Sequence, residues 1–287
     1  MKVKIYKNFK KEVIIRKILE IISKFPFLIS PIYFIRYYSG YYIYILKKIL
    51  MKPYIGGYLF SDQDLFRARY KNIDRVLNQI TLKELKILEI GSYCGQNTIF
   101  IGRLLKKKGL NFNITCLDIW DKFEINTTNE KFYEKKFLSN LKNGNVYRLF
   151  NYNIESCGLS DNIKVIKDDS LKFLSKLNDM YDIIIIDGSH TYEYVYNDIL
   201  HSKKLLNNNG FIIGDDYEAD YSSTKYLDYD TAIKNNYDTM YCTKLGIKFH
   251  PGVTKAVSEL LDESLKSVNG QFIIKKIKNN FIDYAGF

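Results

Sequence analysis

Four consecutive isoleucines, Ile183-Ile184-Ile185-Ile186, run directly into Asp187-Gly188. A strand that is apolar at every position is buried on both faces, which is the habit of a parallel sheet covered by helices on its two sides. Short β-rich runs recur at Ile87–Ile90, Ile114–Leu117, Ile163–Ile166, Phe211–Ile213 and Phe272–Ile277. Helical patterns fit near 96–108, 131–150, 170–178, 191–206 and 253–267, and Ser61-Asp62-Gln63-Asp64 reads as a helix start. The alternation predicts a doubly wound, mostly parallel α/β sheet over residues 61–287. The stretch 217–251, rich in Tyr, Asp, Ser and Thr, is too long for a plain connection and is expected to be a lid.

Charge separates the chain into two parts. The net charge is +11, yet residues 1–60 hold 12 Lys/Arg against 2 acids, while the other 227 residues hold 31 bases against 30 acids. A nucleic-acid footprint spreads over the catalytic face, so the neutral body argues against that partner and leaves only the basic arm to serve it. In the front end, Glu12, Arg16, Glu20 and Lys24 recur every four residues among apolar ones, a helical pattern. Two apolar runs follow, Phe25–Ile35 and Tyr37–Leu46, split by Arg36. Neither reaches the roughly 20 residues that span a bilayer. Residues 1–60 are therefore expected to form a basic, aromatic helical extension that lies on an anionic membrane surface, packs on the body or joins a homo-oligomer. Cys94, Cys116, Cys157 and Cys242 form no CxxC pair and follow no secretory leader, which fits reduced thiols in a cytoplasmic protein.

In doubly wound sheets, ligands bind beyond the carboxyl ends of the strands. The first strand ends in Leu88-Glu89-Ile90-Gly91-Ser92-Tyr93-Cys94-Gly95. Gly91 and Gly95 permit a tight turn, but the spacing is not that of a pyrophosphate loop, and a packing turn is the alternative. The next strand ends in Asp118, placed to accept ribose hydroxyls; the third ends in Asp168-Asp169-Ser170, where a carboxylate and a helix-capping serine meet an adenine edge. Acids at three strand ends, with no phosphate-cradling lysine, suit a cationic adenosyl ligand.

The segment Glu89-Ile90-Gly91-Ser92-Tyr93-Cys94-Gly95-Gln96-Asn97-Thr98 resembles the first motif of class I S-adenosylmethionine-dependent methyltransferases, particularly the catechol and macrocin O-methyltransferase branches. The resemblance covers about residues 62–287 and implies a seven-stranded Rossmann-like sheet. It implies that Glu89, Gly91, Ser92 and Gly95 line the methionine end of the cofactor with Asp187 beside them, that Asp118 holds the ribose, and that Asp169 and Ser170 lie at the adenine. Tyr93 stands where many members have glycine, and Asp168 replaces a common glycine.

Asp187 ends the fourth strand and Asp215-Asp216 the fifth. Three uncompensated carboxylates would repel one another, so the cluster asks for a hard divalent cation, Mg²⁺ first; the alternative is a helix cap with solvated neighbours. The resembled family has its metal ligands at this spacing. His190, three residues after Asp187, is the expected general base, since its ordinary pKa lies near 6.5. A histidine there can equally be a hydrogen-bond donor to substrate or to a ligand of the metal. Glu193 is a weaker candidate, His201 is expected to be solvated, and His250 is expected on a surface loop, with a turn back toward the metal as the alternative. These features imply a metal-dependent O-methyltransferase acting on a small-molecule hydroxyl, foremost a sugar of a glycan precursor. The alternatives are a catechol or phenol acceptor, or a nucleic acid held by the basic arm.

Overall fold

The computed structural model describes residues 42–54, 67–121 and 142–284. The helix start at Ser61–Asp64, the periodic segment Glu12–Phe25 and the run Phe25–Ile35 lie outside the described residues, as do residues 131–141 of one expected helix. The chain divides into two compact units, Met1–Gln63 with Asn129–Ser139, and Asp64–Thr128 with Asn140–Phe287. In the first, residues 42–49 form helix α1, on which Tyr42, Ile43, Leu46 and Ile49 are exposed together with Lys48. No helix among the described residues is long and apolar enough to cross a membrane.

The second unit is built on a seven-stranded sheet in the order β3-β2-β1-β4-β5-β8-β9. Its strands are β1 Glu84–Ile90, β2 Asn111–Asp118, β3 Ile163–Lys167, β4 Tyr181–Ile186, β5 Leu206–Gly214, β8 Phe272–Ile277 and β9 Asn280–Asp283. The first five pair in parallel, whereas β8 runs antiparallel to β5 and β9 antiparallel to β8. All six residues of β4 are buried, as its isoleucine run requires. Helices α2 Arg67–Leu77, α3 Gln96–Lys108, α4 Asn145–Ser156, α5 Ser170–Phe173, α6 Tyr192–Leu205 and α9 Pro251–Leu260 flank the sheet. Helix α9 begins at Pro251 and ends at Leu260, seven residues short of the expected 267, because the chain turns at Leu261 to enter β8. Strand β5 starts at Leu206, ahead of the expected Phe211, since a bulge opposite Tyr181–Ile183 lets the Asn-rich stretch join the ladder.

Residues 217–251 are no bare loop. Helices α7 Tyr221–Thr224 and α8 Tyr229–Lys234 are N-capped by Asp220 and Asp228, and β6 Met240–Cys242 pairs with β7 Ile247–Phe249 in a hairpin. Ala219, Tyr229, Cys242 and Phe249 form a small core of their own.

Helix α6 buries Val195, Ile199 and Leu205 and, on the same face, Asp198 and Ser202. Burial pushes the Asp198 carboxyl up to about 7, partly offset by Ser170 and Asn197. The folded chain therefore holds a proton there that the unfolded chain releases near 3.8, so stability is lost as pH rises from about 4 to about 7. Asp198→Asn copies the protonated form. Its melting temperature should gain on the native chain across that interval, by the equivalent of roughly 2 kcal/mol; calorimetry at both ends showing a constant difference would refute the assignment.

Candidate active site

The site is made by backbone register. Ile90 pairs with Leu117 on one side and Ile186 on the other, and Ile186 pairs with Gly214. The ladders continue one residue further: Gly91 N donates to Leu117 O, Asp187 N to Ile90 O and Asp215 N to Ile186 O, each at 2.8 Å. The tips of β2, β1, β4 and β5 therefore lie level at the point where strand order reverses, where a crevice forms.

Gly91 has φ 88°, and a Cβ there would lie 2.0 Å from the Asp187 carbonyl oxygen, so no side chain fits between these tips. Tyr93 occupies the left-handed region at φ 49° where a glycine would sit freely. Its strain is offset by two anchors: Tyr93 N donates to Asp118 Oδ2 at 2.8 Å, and Trp120 Nε1 donates to Tyr93 O at 2.6 Å. Asp118 Oδ1 accepts from Trp120 N at 2.7 Å. Both oxygens thus clamp the loop while keeping a lone pair each, although burial raises the carboxyl's pKa.

Glu89 is fully buried beneath this loop, and its Oε2 accepts from Ser92 Oγ at 3.0 Å and from Thr98 Oγ1. Burial pushes its pKa up to about 6. Gly95 caps α3 from the left-handed region without a side-chain bond. At the third tip the helix cap is Asp169, not Ser170. Its Oδ1 accepts from Leu171 N at 3.0 Å, because Asp169 has the extended backbone a cap needs while Ser170 is already helical. Tyr194 also donates to Asp169 Oδ2, at 3.3 Å.

Asp187, Asp215 and Asp216 converge, with one oxygen from each within 4.8 Å of the others. They are not uncompensated. Arg69, from α2, donates to Asp215 Oδ2 at 2.5 Å and to Asp216 Oδ1 at 3.2 Å. Asn97 donates to Asp187 Oδ2 at 2.8 Å. Burial and the neighbouring carboxylates raise the Asp187 pKa well above the ordinary range and that of Asp215 to about 7. Asp216 goes the other way: the hydrogen bond and charge of His190 outweigh its burial.

His190 pairs through Nε2 with Asp216 Oδ2 at 2.8 Å and through Nδ1 with Asp238 Oδ1 at 3.0 Å. Burial alone would lower its pKa, but the two carboxylates raise it well above the usual value. His250 is not on an open surface loop. Its Nδ1 lies 3.1 Å from both Glu218 oxygens, and its ring packs tilted against His190, with centroids 4.3 Å apart. Gly252 causes this: a Cβ there would lie 2.4 Å from His190 O, so glycine lets the start of α9 press on the His190 turn. Glu193 is exposed, and His201 is half-buried away from these residues, its pKa lowered by burial and Lys204.

Residues 88–217 match the family described as methyltransferase domain. That stretch runs from β1 past the end of β5 and carries the acidic strand tips. The O-methyltransferase NovP is 13% identical, with 74% of this chain and 79% of that chain aligned at a TM-score of 0.50, a likeness of fold. The Bacillus cereus O-methyltransferase in complex with SAH is 19% identical over 62% of this chain and 68% of its own, TM-score 0.41. A Klebsiella pneumoniae protein described as an O-methyltransferase is 16% identical over 58% of this chain, TM-score 0.38, and the match spans 61% of that protein's length. Among curated proteins, none matches.

Sequence reading of this site missed Arg69, Asn97, Glu218 and Asp238. Asn97 lies in the glycine-motif segment itself, but the other three sit on separate elements with no motif to mark them. Arg69→Met leaves the carboxylates without their guanidinium and should lower stability by about 3 kcal/mol in urea unfolding; an unchanged midpoint would show that the fork carries no net energy.

Proposed function

We propose that this chain is an O-methyltransferase acting on a hydroxyl of a small molecule, with a sugar of a glycan precursor as the first acceptor class and a catechol or phenol as the alternative. The observation that carries the reading is the level row of acidic strand tips beside a histidine, at the crevice of a methyltransferase domain. Three oxygen donors from Asp187, Asp215 and Asp216, with Asp215 Oδ1 buried and unpartnered, fit a hard divalent cation such as Mg²⁺. When bound, S-adenosylmethionine supplies an electrophilic methyl group, and the divalent cation supplies the charge that lowers the pKa of a coordinated hydroxyl.

The chain's own residues do the rest. Asp118 offers the remaining lone pairs of its two clamped oxygens to the ribose hydroxyls. Glu89, Gly91, Ser92 and Gly95 shape the methionine end, and Asp169 with Ser170 borders the adenine edge. Asp187, Asp215 and Asp216 would hold the cation, the last two sharing their carboxylates with Arg69. His190, once its Nε2 has released its proton to solvent, would take the hydroxyl proton at that nitrogen. The lid supports a polar, ring-shaped acceptor: Tyr226, Tyr237 and Tyr241 are exposed on it. The exposed apolar side chains of α1 beside Lys48 support residues 1–60 as a contact with an anionic membrane surface on the cytoplasmic side, or with a second copy.

Asp215→Ala should abolish turnover while S-adenosylhomocysteine still binds in calorimetry, and equal rates in EDTA and in Mg²⁺ would overturn the metal role. His190→Ala should lower kcat by roughly 10²–10⁴-fold without weakening cofactor binding; an unaltered rate would place the base elsewhere. Mass spectrometry of glycan and metabolite pools for a methylated product identifies the acceptor.

A further inference from the structure

Asp216 faces two cations at once. Its Oδ1 accepts from Arg69 Nη2 at 3.2 Å, while its Oδ2 pairs with His190 Nε2 at 2.8 Å. The left-handed backbone, φ 57°, turns the chain here so that one carboxylate serves both sides. One carboxylate oxygen of Asp216 lies within 4.8 Å of ligand atoms of Asp187 and Asp215, the site already described. Asp216 also lies within that distance of Glu218 and His250, which the reaction proposed above leaves unused.

We propose that Asp216, Glu218 and His250 form a second cation site, for a divalent transition ion, adjoining the carboxylate site and sharing Asp216 with it. One ligand atom from each of the three lies within 4.8 Å of the others. The pair Glu218–His250 is built for a common occupant. The imidazole Nδ1 lies 3.1 Å from both carboxylate oxygens, and the backbone N–H of His250 also donates to Glu218 Oε2, at 3.3 Å. That second bond holds the carboxylate whether or not the ring carries a proton on Nδ1. An ion would take the place of that proton, and the proton would leave to solvent.

Donor type separates the two positions. Asp187, Asp215 and Asp216 offer oxygen alone, the set for Mg²⁺. Adding an imidazole nitrogen favours ions of the Mn²⁺ to Zn²⁺ series, whose affinity for nitrogen exceeds that of Mg²⁺. Three protein ligands leave coordination positions open, as in sites that bind a further ligand. His190 is not needed as a ligand: its Nδ1 stays on Asp238, and its ring packs tilted against that of His250. The ligands come from the segment after β5 and from the residue that opens α9, the latter an element that Gly252 lets press on the His190 turn.

The inference stands without the methyl-transfer reading, and Co²⁺ tests it on the full chain stripped of metal. One equivalent should bind, with the intense visible absorption of a low-coordinate nitrogen–oxygen site, and excess Mg²⁺ should leave it in place. Glu218→Gln and His250→Gln should each weaken Co²⁺ at least tenfold, whereas Asp215→Asn, which spoils only the carboxylate site, should change it less than about threefold. Far-ultraviolet circular dichroism and a cooperative melt report that each variant is folded. A variant-free check uses the native chain, which has three histidines: Zn²⁺ should shift the imidazole NMR signals of His250 and leave those of His201 unmoved. Displacement of Co²⁺ by Mg²⁺, loss of Co²⁺ in Asp215→Asn but not in His250→Gln, or no response of any imidazole to Zn²⁺ would each overturn the proposal.

Discussion

Everything at this crevice follows from two backbone hydrogen bonds, Asp187 N to Ile90 O and Asp215 N to Ile186 O. They extend the parallel ladders one residue past the apolar core, so that side chains following two neighbouring strands, β4 and β5, must meet. Because the residues at those positions are acidic, the register that makes the sheet also forces like charges together in a poorly hydrated place. The molecule resolves this by splitting their protonation and importing cations. Asp187 and Asp215 are driven up, Asp216 down, and Arg69 and His190 stand on opposite sides of Asp216.

The same economy of space explains the glycines. Gly91 lets the β1 tip touch the Asp187 carbonyl, and Gly252 lets α9 touch the His190 turn. In both cases a side chain is absent where two pieces of backbone carrying site residues must approach closely. The lid keeps its shape by a different device, a small apolar core closed around a hairpin and two Asp-capped helices. It can therefore present Asp238 to His190 from a folded element rather than a slack loop.

The fold was largely legible from the residues. Runs such as Ile183–Ile186 and Ile114–Leu117 appear in the structure as central strands, because burial on both faces leaves one solution for them. The convergence of Asp187 with Asp215 and Asp216 was also legible, since strand ends in parallel register are level. Less legible was what each acid touches. Asp169 rather than Ser170 caps α5, because capping depends on a backbone angle that the residue types leave open. His250 reads as a loop residue, and its burial depends on a glycine two positions later meeting a turn some 60 residues earlier in the chain.

Local chemistry, carried in the order of residues, was enough to place apolar strands, glycine turns and acidic strand tips, since these depend on neighbours a few positions away. Counter-charges were another matter. Arg69, Glu218 and Asp238 lie on a helix ahead of β1, on the connection leaving β5 and in the lid, and no spacing rule links them to Asp216 or to the histidines. Their partners are chosen by how helices and lid pack on the sheet, and electrostatic pairing acts through space, indifferent to separation along the chain.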